Sequence, residues 1–299
     1  MNASTGPVVP TGRPVRAPAP APGSSSTRRP ARRSVPAAAA VPAVLGLAFL
    51  VLPLAGLVVR APWSTLGQVL GEPAVVQSLW LSLWTSALAT VCSAVLGVPL
   101  AWVLARASVP GRRLLRALVT LPLVLPPVVG GVALLAVLGR SGAVGTWLEK
   151  AGVSLPFTPA AVVIAQTFVA MPFLVVTVEG ALRATDQRFE EAATCLGASR
   201  LTVLRRVTLP LVAPSVAAGA VLAWARALGE FGATVTFAGS FPGRTQTLPL
   251  TVYQALDRDP ESAIALSLVL LTVCVGVLVA LRDRWDVRAA GVPVDEVGR

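Results

Sequence analysis

Six long runs without a charged residue, at 34–59, 73–105, 117–139, 151–178, 207–225 and 262–281, alternate with charged clusters along the chain. Each is at least 19 residues long, and roughly 20 residues carry an α-helix across the hydrocarbon core of a bilayer. The apolar positions are continuous and do not alternate with polar ones. An unpaired backbone group is prohibitively costly in lipid, so such runs predict helices, which satisfy their own N–H and C=O groups, and not a barrel. The expected fold is all-α: an integral membrane domain of six transmembrane helices over residues 36–285, with tails at 1–35 and 286–299. The third run carries Pro122, Pro126, Pro127, Gly130 and Gly131, which interrupt its hydrogen bonds and predict a kink. Interrupted backbone at membrane depth needs protein or a water-filled cavity beside it, which places this helix inside the bundle and not on its lipid-facing rim. Pro172 and Pro214 predict similar kinks in the fourth and fifth helices.

Composition agrees, with 55% hydrophobic residues, 13% charged residues and a mean hydropathy of +0.74. Charge sets the orientation, because positive flanks are retained in the cytoplasm during insertion. With the N-terminus inside, 19 of the 25 basic residues fall on cytoplasmic segments. Arg60, Arg140, Lys150, Arg244 and Arg258 fall outside, and Arg226 lies within a span. Both termini are therefore expected in the cytoplasm. Topology explains most of the net charge of +11 and the pI ≈ 11.4, so the partner implied is membrane lipid and not nucleic acid. The basic tail is rich in Pro, Ala, Ser and Arg and has too little apolar surface to order itself, so disorder is expected. The first apolar run is about twice the length of a secretory h-region and lacks a convincing cleavage site, which marks an uncleaved span. Cys92 and Cys274 fall in spans and Cys195 in a polar segment; no disulfide framework is implied. Histidine is absent and no metal-ligand spacing occurs, so no metal site is expected.

A polar island at 185–199 separates the fourth and fifth runs. Thr185 or Asp186 can cap a short helix there, with Glu190 and Glu191 near its positive end. Phe189, Ala192, Ala193 and Leu196 recur at three- and four-residue spacing and form a narrow face suited to close packing against a partner. Gly197 permits a sharp exit, and Ser199 can cap a second helix through Arg206. Glu191-Ala192-Ala193, then Gly197, then Val207-x-Leu209-Pro210 resembles the EAA loop of the membrane subunits of bacterial ABC importers, here spanning 185–210. Val207 stands where that family usually has isoleucine. In that family the loop is the docking surface for the ATP-hydrolysing subunit. The resemblance thus implies an ABC ATPase subunit docked on Phe189, Glu190, Glu191, Ala192, Ala193 and Gly197.

The likeness extends over most of residues 75–285 and narrows. The stretch from Arg226 to Leu250 is similar to the fifth-span region of permeases for tetrahedral oxyanions, with Gly229-Glu230-Phe231-Gly232 shared by the sulfate, thiosulfate, molybdate and tungstate group. Its continuation from Pro242 to Pro249 is more like the molybdate branch. What the resemblance implies is a permease-like bundle of the type I ABC importers, multi-pass in the bacterial cell membrane and acting as a homodimer. An extracytoplasmic molybdate-binding protein would deliver the anion, and ATP and Mg would belong to the partner ATPase, with no cofactor on this chain. No Gly-x-x-x-x-Gly-Lys-Ser/Thr motif occurs, and the only lysine is Lys150, so the chain is not expected to be an enzyme and has no catalytic residue. Sulfate, thiosulfate or tungstate transport is the alternative within the group. Outside it stands an ion-coupled secondary transporter, against which count the island and the lack of buried acids beyond Glu230.

Arg226 and Glu230 stand one helical turn apart, where opposite charges meet. Two readings are open: the pair neutralises itself, or Glu230, with Gly229, Phe231 and Gly232, forms a constriction where two copies of the fifth span approach and separate. The segment 234–260 is read either as a solvated hairpin or as the entrance that receives the binding protein. The second reading, implied by the resemblance, puts Arg244, Thr245 and Gln246 on the entrance side, with Arg244 attracting the released anion; Phe237, Leu248 and Leu250 hint at partial re-entry into the bilayer.

Overall fold

A computed structural model describes residues 37–289, with side chains from 39 to 280. The tail expected at 1–35, and the part of the C-terminal tail beyond 289, lie outside the described residues. The chain divides into two units, Met1–Val51 and Leu52–Arg299. Helix α1 (Ala37–Val59) begins in the first and carries no charge. The second holds α2 (Leu66–Gly71), α3 (Pro73–Arg106), α4 (Arg112–Val124), α5 (Pro127–Leu138), α6 (Gly145–Lys150) and α7 (Pro159–Ala184). It continues with α8 (Arg188–Cys195), α9 (Arg200–Val203), a π-helical turn at Leu204–Thr208, α10 (Leu209–Leu228), α11 (Gly232–Phe237), α12 (Leu248–Arg258) and α13 (Pro260–Ala289). No strand occurs among the described residues, so the fold is all-α.

Helix α7 is the axis of the second unit: α3, α4, α5, α10 and α11 all pack on it. Its start is set by the Thr158 hydroxyl, which accepts from the Ala161 amide at 3.3 Å, and by Pro159, whose missing N–H costs nothing in a first turn. Lipid tails are as apolar as leucine, so these helices associate through close packing, and small residues mark the crossings. A Cβ at Gly97 of α3 would sit 3.1 Å from Leu174 and Val175, and one at Gly219 of α10 would sit 3.3 Å from the Leu174 Cα. The main core joins Leu104, Leu174, Val178, Leu182, Val212 and Ala227. Ser78, Ser82, Thr85, Ser86 and Ser93 occupy the buried face of α3. Ser78, Thr85 and Ser86 donate to carbonyls of their own helix, as Thr85 does to Leu81 at 2.7 Å, so these three hydroxyls need no outside partner.

Among the described residues five helices are long and apolar enough to cross a membrane, and α4 with α5 makes a sixth crossing if the pair is one span. That third element is not a kinked helix, as expected, but a corner of 117°. Pro126 and Pro127 remove two consecutive donors and push the residue before each into extended geometry, with ψ of 135° at Leu125 and 132° at Pro126. Pro172 and Pro214, by contrast, lie inside continuous helices. The fourth span begins at Pro159 and runs on through Glu179 and Arg183, because an ion pair lets the helix continue where the uncharged run stops. The helix expected from Ser199 does start there, but it does not end at Arg206: it runs on through the π-helical turn into the fifth span, Arg200–Leu228.

Candidate functional site

The polar island folds as a short arm. Asp186 and not Thr185 starts α8: its carboxylate accepts from the Arg188 amide at 3.0 Å, while the Thr185 hydroxyl donates back to Ala181 and closes α7. Gly197 ends α8 in the left-handed region at φ 84°. The Ala198 amide donates to Ala193 at 3.1 Å and the Gly197 amide to Thr194 at 2.9 Å, the paired bonds of a Schellman turn. Ser199 then caps α9 by accepting from the Thr202 amide at 3.3 Å. The expected apolar face is open: Phe189 is 57% and Leu196 90% exposed, and Glu191 and Ala192 are exposed beside them. Ala193 is half-buried.

Glu190 departs from the expected docking set. It turns back to the bundle, its side chain only 18% exposed, where one carboxylate oxygen meets Arg106 Nη2 at 3.2 Å and accepts from the Thr208 hydroxyl at 3.1 Å. Around it the ends of α3 and α7 are laced together. Arg106 donates to the Thr185 carbonyl at 3.3 Å, and Arg183 of α7 donates to the Leu104 carbonyl of α3 at 3.4 Å. Guanidinium groups at helix C-termini meet unpaired carbonyls and the negative end of the dipole. Arg183 also pairs with Glu179 at 2.9 Å, and Arg116 of α4 pairs with the same carboxylate. Glu179 is 6% exposed, which corrects the expectation that Glu230 is the only buried acid. It lies one residue past the uncharged run, and its spacing of four from Arg183 was the available signal.

Arg226 and Glu230 do meet, at 2.6 Å, and Glu230 is buried. Its second oxygen accepts from the Ala233 amide at 2.8 Å and so starts α11. The carboxylate joins two helices of one chain across the break at Gly229–Phe231. Gly232 serves the same chain: a Cβ there would lie 2.9 Å from the Pro127 side chain and 3.1 Å from the Val128 amide nitrogen. On the facing helix, a Cβ at Gly131 would lie 2.9 Å from the Ala233 carbonyl oxygen. These glycines let α5 and α11 touch. Phe231 rests on Tyr253, with ring centroids 4.8 Å apart.

The segment 234–260 is no solvated hairpin. Phe237, Leu248 and Leu250 are fully buried, as are Thr245 and Thr247, and the Leu248 amide donates to the Ser82 hydroxyl at 2.7 Å. The Phe241 amide donates to the Thr245 hydroxyl at 3.0 Å, and Gln246 links through Gln254 to Ser240 at 2.7 and 2.9 Å. Arg244 stands exposed at the tip. The three entrance residues thus share one folded loop, in which Thr245 and Gln246 hold the shape and Arg244 faces out. Among the described residues no cluster of acids and cysteines could hold a metal.

Apolar helices gathered on α7, a broken third span and an arm held by charge at one end define a multi-pass membrane protein. The chain belongs to the family of binding-protein-dependent transport system inner membrane components, which matches residues 97–285. It is 48% identical over 247 residues to the molybdenum transport system permease protein ModB of Mycobacterium tuberculosis, covering 83% of this chain and 94% of that one. Identity to the Escherichia coli ModB is 38%, covering 71% and 93%, and to the E. coli sulfate transport system permease CysT 34%, covering 81% and 90%. The fold matches a chain of a bacterial ABC transporter involved in the import of the acidic polysaccharide alginate, with a TM-score of 0.70 at 17% identity over 85% of this chain and 95% of the other. A chain of the methionine transporter MetNI gives 0.54 at 21% identity, covering 72% and 95%. The protein is a multi-pass permease subunit of the inner membrane.

Proposed function

We propose that this chain is the membrane-spanning subunit of an ATP-driven molybdate importer, in which two copies form the path and each docks a separate ATPase on α8. The observation that carries the docking is the open apolar face of Phe189 and Leu196 on a helix fixed at both ends. A soluble helix leaves such residues bare at a cost unless a partner covers them. The arm and both termini then lie in the cytoplasm, and the loop carrying Arg244 faces the binding protein. ATP binding draws the two ATPase subunits together, moves the arms and shifts the bundle from inward-open to outward-open. Nucleotide does this only through its higher affinity for one of the two states. The molybdenum permease relatives, more similar to this chain than the sulfate permease, support molybdate as cargo.

The test is uptake into proteoliposomes holding the chain, its ATPase and the binding protein, with molybdate and sulfate offered in competition. Molybdate is expected to enter at the expense of ATP and sulfate to compete poorly. Glu191→Lys and Gly197→Asp are expected to insert normally and lose the ATPase. Uptake without the ATPase would establish a secondary transporter instead, and preferred uptake of sulfate would reassign the cargo.

A further inference from the structure

Helix α8 packs on α9 and the π-helical turn, and a cleft of about 540 Å³ lined by Trp102, Arg106, Glu190, Arg200 and Thr208 separates it from the end of α3. Across that cleft the side-chain links between arm and bundle, among the described residues, converge on one carboxylate. Glu190 holds Arg106 of α3 at 3.2 Å and Thr208 of the π-helical turn at 3.1 Å. From Arg106 the chain of contacts runs to the Thr185 carbonyl at the end of α7, and Arg183, two residues earlier, reaches Leu104 and Glu179. Glu179 takes Arg116 of α4, the first half of the broken third span. Ion pairs and hydrogen bonds thereby link five elements, α8, the π-helical turn, α3, α7 and α4. The π-helical turn adds slack where the arm joins the fifth span, since its wider i to i+5 bonding accommodates an extra residue in the helix.

We propose that Glu190 and Arg106 form an intrachain latch through which movement of α8 reaches α3, α4 and α10, and that Glu190 is a positioning residue which does not itself contact the ATPase. The proposal rests on α8 being the ATPase dock. Geometry separates the roles of neighbours: Glu191 is exposed with Phe189, while Glu190 is turned inward, one of its oxygens held by two partners. Removing its charge leaves Arg106, whose side chain is 7% exposed, without a counter-charge, so the arm detaches from α3 while its outer face is preserved.

The experiment uses the full chain with its ATPase and binding protein in proteoliposomes and reads two quantities, ATPase retained on purification and molybdate imported per ATP hydrolysed. For Glu190→Gln and Arg106→Leu, retention is expected to match the unaltered chain while import per ATP falls about fivefold or more, the size of a typical coupling free energy between sites. The exchange Glu190→Arg with Arg106→Glu is expected to restore most of the ratio, which a loss of folded protein would not allow. Release of the ATPase by Glu190→Gln would make Glu190 a docking residue and overturn the latch. An unchanged ratio in both single variants, or failure of the exchange to recover it, would overturn it as well. Retention of the ATPase by Glu191→Lys would instead overturn the docking reading, and the latch with it.

Discussion

Gly229 and Gly232 stand on either side of Glu230 in sequence, yet their surroundings differ. A Cβ at position 229 meets only the Ala225 carbonyl oxygen at 3.6 Å, an ordinary contact, whereas one at 232 is forced to within 3.1 Å of the Val128 backbone. Backbone cannot step aside as a side-chain tip can. Gly232→Ala is therefore expected to destabilise the chain by about 1–3 kcal/mol, the cost of overpacking a tight contact, while Gly229→Ala loses less than about 1 kcal/mol. Thermal unfolding in detergent compares them. Equal losses would return both glycines to the constriction between copies. Glu230 is resolved in the same way: the pairing with Arg226 was legible from the spacing, but the Ala233 amide on its other oxygen was not. A half-helix of six residues leaves too little periodicity to announce its own cap.

Among the elements, the apolar runs foretold where helices lie and failed where charge and helix end disagree. Glu179 and Arg183 closed the fourth run on paper but continue the helix in the fold, since each finds a partner. Pro126-Pro127 was visible, but the angle of the resulting corner depends on the glycine-lined contact of α5 with α11, a pairing over 100 residues apart in sequence. The arm was the most legible element, because capping residues and a C-terminal glycine act locally. The junction of α12 with α13 shows another local device. Asp259 accepts from the Glu261 amide at 3.2 Å and from the Ser262 hydroxyl. The Ser262 hydroxyl, then backbone amides, hold its carboxyl below the usual carboxylate range. A depressed folded-state value means the stabilisation is present above the unfolded pKa of about 3.9 and disappears as pH falls through the folded value. Protection of the Glu261 and Ser262 amides from hydrogen exchange, scaled to the intrinsic rate, should fall with acid over that window. Asp259→Asn should flatten the dependence; an identical profile in the variant would show that Asp259 does not cap α13.

At the scale of the molecule the decisive question is which side of the membrane carries the arm, and the native cysteines answer it without substitution. Cys195 ends α8 and is exposed, whereas Cys92 and Cys274 lie half-buried in membrane-spanning helices, beyond reach of a charged reagent. Desolvating the charged reagent and the thiolate it attacks is unfavourable inside the bilayer. A membrane-impermeant maleimide is thus expected to modify the chain once, at Cys195, in inverted vesicles and not in intact cells. That expectation rests on the proposed topology, under which 19 of the 25 basic residues share the arm's side. Docking adds a second expectation: the exposed face of Phe189, Ala192 and Leu196 adjoins Cys195 on a helix of eight residues, so a bound ATPase should slow the reaction. Vesicles stripped of the ATPase should label faster than those that retain it, and adding it back should restore protection. Labelling of intact cells would invert the topology and leave no route for a cytoplasmic motor to reach α8. Equal rates with and without the ATPase would place its contact elsewhere on the chain.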